Sequence, residues 1–149
     1  MTATRLLLVV ALALACATGC HTHASMSSPA GFGRMDGGYD VRAVNPNGVV
    51  VAARVKPNRP RADLGFWAAA VDLSLARKGY SRTELADVTS RAGVPGKLMK
   101  YDTHAGTAYW IAVFARTDTL LLAEATGAHG DVDASSDQLL AALLSARID

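Results

Sequence analysis

Apolar residues recur along this chain with two different spacings, and each spacing predicts a different kind of element. Tyr39, Val41 and Ala43 alternate with Asp40 and Arg42, the period of a half-buried strand. Asn45-Pro46-Asn47-Gly48 then predicts a turn: proline pre-sets φ, Asn tolerates the third position, and Gly takes the left-handed fourth. The chain returns through Val49 to Val55, so the two runs predict an antiparallel hairpin, which Pro57 and Pro60 end. From Asp63 to Lys78 the period lengthens. Trp67, Ala70, Val71, Ser74 and Leu75 stand at i, i+3, i+4, i+7 and i+8, and Leu64 and Ala68 widen the stripe. This predicts a helix with Trp67 as a core anchor, Asp63 as its cap and Gly79 as its stop.

From Tyr80 the shorter period resumes. Arg82 to Arg91 predicts a strand of mixed polarity, with Leu85, Ala86 and Val88 its clear apolar positions, as expected of an edge or a wet face. Gly93, Pro95 and Gly96 mark a turn, Gly96 to Asp102 a strand, and Thr103-His104-Ala105-Gly106 another turn. Thr107 to Arg116 is apolar on both faces, with Tyr109, Ile111 and Val113 on one and Trp110, Ala112 and Phe114 on the other. Such a strand belongs inside a sheet covered on both sides. Thr119 to Thr126 predicts the last strand and Gly127 to Ala134 a polar loop. Ser135 and Gln138 have the spacing of a capping box, opening a final helix with Leu139, Leu140, Leu143, Leu144 and Ile148 on its apolar face.

The order strand–strand–helix, four strands, helix, joined by hairpins, predicts a single α+β domain over residues 39–149. Its sheet is mainly antiparallel, of about six strands, and two helices cover it.

The start of the chain follows a different logic. Arg5 precedes an apolar run from Leu6 to Ala15 that ends in small residues, the parts of a secretory signal. The run falls short of the about 20 apolar residues a spanning helix needs. Ala17-Thr18-Gly19 before Cys20 resembles the bacterial lipobox, although position 17 is Ala where Leu is more usual; Cys16, after Ala13-Leu14-Ala15, is a weaker second candidate. The resemblance implies that residues 1–19 are a lipoprotein signal peptide and that Cys20 carries the lipid. Since each buried methylene contributes about 0.8 kcal/mol, two or three acyl chains hold firmly where one is marginal. Residues 20–38, rich in Ser and Gly and without apolar periodicity, read as a flexible tether reaching about 23 Å at ~5–6 Å times the square root of its length.

Composition narrows the chemistry. Losing Arg5 from the 15 lysines and arginines leaves them nearly balanced against 13 acidic groups, which argues against a nucleic-acid surface. The chain has 2 cysteines; Cys16 leaves with the signal and Cys20 is modified, so thiol catalysis and cysteine-based metal sites are excluded from the mature domain. His104 and His129 are its candidate bases, both in predicted turns, and no Gly-x-Ser-x-Gly elbow serves them. His129, Asp131 and Asp133 form a sparse oxygen-rich loop that lacks a full Ca²⁺ ligand set. His21-Thr22-His23 reads as two solvated linker histidines. Lys97, Lys100 and Arg91 read as ordinary surface charges, and Gly93-x-x-Gly96-Lys97 is too short for a phosphate-binding loop.

A helix carrying Phe66-Trp67 and ending in Gly79-Tyr80, a strand pair marked by Gly96-Lys97 and Tyr109-Trp110, and a closing helix together resemble the PsbP-like α/β/α sandwich. That group includes an extrinsic photosystem II subunit and DcrB-like bacterial lipoproteins. The lipobox, the tether and the lack of a catalytic constellation predict a lipid-anchored, periplasm-facing envelope protein that binds or supports an envelope protein partner without catalysis, cofactor or metal. His21 after Cys20 is not the Asp that favours inner-membrane retention, so the outer membrane's periplasmic face is the expected location. The alternative is a small-molecule or metal binder, or an enzyme, working through the His104 and His129 loops.

Overall fold

The structure, a computed structural model, describes residues 22–149; the segment expected to be a signal peptide, with Cys16, and the expected lipidation site Cys20 lie outside the described residues. Among the described residues nine strands and three helices follow one another: β1 (Ala24–Ser25), β2 (Gly33–Arg34), β3 (Val41–Val44), β4 (Val50–Pro57), α1 (Leu64–Ala76), β5 (Tyr80–Thr89), β6 (Pro95–Thr103), β7 (Thr107–Ala115), β8 (Thr119–Ala128), α2 (His129–Ala134), α3 (Ser136–Ser145) and β9 (Arg147–Ile148). The main sheet has seven strands in the order β2-β3-β4-β8-β7-β6-β5, antiparallel at each pairing. The six strands expected from the pattern are all present as β3 to β8, in an α+β sandwich.

Alternation along the strands divides the core. Leu98, Trp110, Ala112, Phe114, Leu121 and Ala123 face one way, against Val132, Leu139 and Leu143 of α2 and α3. Met99, Tyr101, Ile111 and Val113 face the other, against Ala68 and Leu75 of α1 with Leu64, Trp67 and Val71 partly buried beside them. β7 is buried on both faces because helices lie on both. β5 is the edge strand expected; it is largely exposed, and a register shift between Arg82 and Glu84 interrupts its pairing. Such an irregularity, with charged side chains, keeps an edge from recruiting further strands.

Local chemistry accounts for the elements. Asp63 caps α1 by accepting from the Phe66 N–H at 2.8 Å, and Gly79 stops it at φ 87°. Gly48 takes φ 82° at the close of the β3–β4 turn, where the Asn45 side chain accepts from Val49 N–H. Asn58, 4% exposed, ties the segment after β4 to its surroundings. Its amide donates to the carbonyls of Ala62 and Arg116, while its oxygen accepts from Ala62 N–H and from Trp67 Nε1–H at 2.7 Å. Trp67 is thus the expected anchor, with its one polar atom paired.

Three readings of the sequence need correction. The polar loop expected over Gly127–Ala134 is occupied by the end of β8 and by α2, whose Val132 is fully buried. Ser135 makes no side-chain cap on α3; with φ −108° and ψ 10° it continues directly from α2, and the helix ends at Ser145, so Ile148, expected on its apolar face, instead pairs with Ala24 in β9. The third concerns the tether. From Ala24 onward its residues are folded onto the domain: β1 pairs antiparallel with β9, Ala24 N–H donates to Asp40 Oδ2, Ser27 N–H donates to Ser145 Oγ, and β2 pairs with β3. Ala24 is 2% exposed, and Met26 and Phe32 pack on the core formed with α3. The apolar residues involved are too few and too far apart to register as a period; long-range pairing supplies the order.

Candidate functional site

His129 opens α2 at the end of the sheet where β6 turns into β7. Its backbone N–H donates to Gly106 O at 2.8 Å, in the turn that carries His104, so both histidines reach one end of the fold. The half-exposed His129 ring lies between two carboxylates: Nδ1 is 3.1 Å from Asp102 Oδ1, and Nε2 is 3.1 Å from Asp133 Oδ2. Both nitrogens can donate at once only in the doubly protonated ring. The carboxylates approach opposite sides of the imidazole, so the three groups do not converge on one point. Asp131 is drawn away, accepting from Asn47 Nδ2 at 3.4 Å. Among the described residues no group of three or more His, Cys, Asp or Glu is placed to hold one metal ion. His23 lies 4.0 Å from Asp149; His21 is outside the described residues.

Lys97 and Lys100 are taken up by edge-strand pairs with Asp87 at 2.5 Å and Glu84 at 2.8 Å, and Lys100 also lies over the Trp110 ring at 4.3 Å. Arg91 stands apart from them in the β5–β6 turn, its N–H bonded to Leu144 O.

A different surface is built by residues the pattern did not single out. α1 lies over β5, β6 and β7 and leaves the β3–β4–β8 part of that face without a helix. Register brings a polar cluster together there. Glu124 stands opposite Ala52, which stands opposite Arg42, and Arg54 is two residues further along β4. Arg54 Nη2 donates to Glu124 Oε1 at 3.0 Å, and Glu124 is 7% exposed. The Arg54 and Arg42 guanidiniums lie over the Tyr39 ring, 5.1 and 5.9 Å from its centroid. Tyr109, beside Glu124 on β7, has its phenol held well above the usual tyrosine range, first by burial and then by the Glu124 charge. Arg54 Nε is buried and makes no hydrogen bond, a vacancy that native structures rarely tolerate without cause.

An apolar groove of about 250 Å³ adjoins this cluster at the flank of α1, formed by Trp67, Ala70, Val71, Leu120 and Leu122 with Lys56 at its margin. The outer side of α1 adds Phe66 and Leu73, each about half exposed. A second cavity, of about 160 Å³, lies on the opposite face. Val94, Phe114, Leu121 and Ile148 line it, with Arg116 and Arg147 alongside.

The sequence did carry one signal for the cluster: Glu124 is the only charge in the apolar run from Leu120 to Ala125. Its partner could not be read, because Arg54 is distant in the chain and meets it only through the β4–β8 register. No helix among the described residues is long and apolar enough to cross a membrane.

Comparison with known proteins finds similarity at the level of the fold. No family model matches the chain, and no curated protein does. The solution structure of cyanobacterial PsbP (CyanoP) from Synechocystis sp. PCC 6803 superposes with a TM-score of 0.59 at 10% sequence identity, covering 85% of this chain and 93% of that one. The PsbP-like sandwich expected from the Trp-bearing helix and the Tyr-Trp strand is therefore the fold of this chain.

Proposed function

We propose that this chain is a lipid-anchored module of the cell envelope, held through Cys20 on the periplasmic face of the outer membrane, that binds an envelope protein and catalyses no reaction. The observation that carries the binding half is the helix-free part of the sheet, with its Tyr39–Arg54–Glu124 cluster beside the apolar groove under Trp67. Tyr, Trp and Arg next to desolvated apolar pockets are the residues that dominate protein interfaces. The surface suits a partner that offers apolar side chains to the groove and a carboxylate to Arg42. The likeness to a PsbP fold supports the reading without assigning the partner. The lipobox residues Ala17-Thr18-Gly19-Cys20 support the anchor.

Crosslinking the membrane-bound protein in its own cell, then repeating it with Tyr39→Ala and Arg42→Ala combined, tests the proposal. A discrete protein adduct is expected, and the double variant should weaken it by about 2 kcal/mol or more, as loss of an interface anchor does. Adducts only with itself or with lipid would overturn it.

A second reading draws on the imidazole between Asp102 and Asp133: the His104 and His129 loops bind a small molecule or metal, or perform catalysis. His104→Ala with His129→Ala distinguishes it, since unchanged phenotype and metal content would remove it.

A further inference from the structure

The point at which the chain joins the fold fixes how far a lipid on Cys20 can stand from the domain. Ala24 is buried and doubly held, by pairing with Ile148 and by its N–H donating to Asp40 Oδ2, the same oxygen that accepts from Val55 N–H. Val55 stands opposite Leu121, near the start of β8, and Ile148 shares a cavity with Leu121 and Arg116. The entry point is therefore toward the end of the sheet that carries the β7–β8 turn. Four steps of backbone separate Cys20 from Ala24, and at ~3.3–3.6 Å each they span at most about 14 Å.

That end is also the basic end. Lys56 at the end of β4, Arg59, Arg61, Arg91 and Arg116 on the loops between β4 and α1, β5 and β6, and β7 and β8, and Arg147 on β9 gather there. Asp40, Asp63, Asp118 and Asp149 offset part of their charge; Arg61 pairs with Asp118, and Arg147 with Asp149 at 2.9 Å. The far end carries Asp102, Asp131 and Asp133 around His129, against Arg77 and Lys78 at the close of α1.

We infer that the basic end is a membrane-facing surface, which a lipid on Cys20 holds against anionic phospholipid headgroups so that the His104–His129 end points away. The inference rests on the lipid-anchor reading and adds an orientation to it. A leash of at most about 14 Å keeps the nearest charges within about two Debye lengths of the headgroups, one Debye length being about 8 Å at physiological salt. Basic side chains at that distance are drawn to an anionic surface, and acidic ones are not. The helix-free sheet face runs from one end to the other and stays open to a protein partner from the side.

The full-length lipidated protein, reconstituted in vesicles of phosphatidylcholine with or without phosphatidylglycerol, provides the test. Lipid blocks Cys20, so one added thiol, through Ala92→Cys at the basic end or His104→Cys at the far end, takes a fluorophore; both positions are exposed. A headgroup-level quencher should act several-fold more strongly at position 92 than at position 104. Arg91→Glu with Arg116→Glu should reduce that difference on phosphatidylglycerol vesicles. Equal quenching at the two positions, in protein whose intact mass shows lipid on Cys20, overturns the orientation while leaving the anchor in place. A free thiol at Cys20 defeats the anchor reading and the orientation with it.

Discussion

Tyr101 and Tyr109 sit side by side on β6 and β7, their ring centroids 6.5 Å apart, facing α1. Tyr101 donates to Asp72 Oδ1 at 3.1 Å on α1, and Tyr109 lies beside Glu124. Burial, reinforced by those carboxylates, holds both phenols above their ordinary value of 10.0. The sign of the linkage follows. In the folded chain the protons stay on; in the unfolded chain they leave from about pH 10 upward. The stability contributed by these two groups is complete below that pH and is lost as pH rises through their folded values. Urea unfolding followed from about pH 8 to pH 11.5 should show constant stability and then a steep fall. Tyr101→Phe with Tyr109→Phe should flatten the alkaline fall, whatever it does to the plateau. At this scale the sequence is legible where a residue acts through its own neighbours: Asp63 caps and Gly79 stops α1 as their positions foretell. It is silent where register decides. Glu124 stands out in an apolar strand, yet nothing local says that Arg54 will meet it.

Long elements with a sustained period were readable for the same reason that they are stable. Each buries a face, and burying a face writes its period into the chain. The hairpin of β3 and β4, the helix α1, the edge strand β5 and the two-faced strand β7 all follow from spacing. β1, β2 and β9 have two residues each, too few to show any period, and are ordered by distant partners. α2 was hidden by its polar composition, since Val132 alone faces the core. The element that changes the account most is β1, because it turns the later part of an expected tether into folded structure. Ala24→Asp distinguishes the two descriptions. Placing a carboxylate in that buried position should cost about 2 kcal/mol or more in urea unfolding. In a solvated tether the same change would stay within about 0.5 kcal/mol.

Across the whole molecule the proposed roles fall to the two ends and two faces of one sandwich. One face is closed by α2 and α3; the other is half closed by α1 and leaves a cluster of tyrosine and arginine beside an apolar groove. The chain enters toward the basic end, within a few residues of the cysteine that the lipobox resemblance marks for acylation. The fold could be anticipated from the sequence because architecture depends on periods and turns. The proposed binding surface could not, because it exists only once β3, β4 and β8 are aligned and α1 stops short of covering them. Anchoring is the premise on which location, orientation and partner all depend. The most direct test is the intact mass of the protein purified from membranes of its own cell. The account predicts a chain that begins at Cys20, heavier by a diacylglycerol on the thiol, and a Cys20→Ala variant that incorporates no labelled fatty acid. A chain retaining residues 1–19 with an unmodified Cys20, or a Cys20→Ala variant that is still acylated, would contradict it.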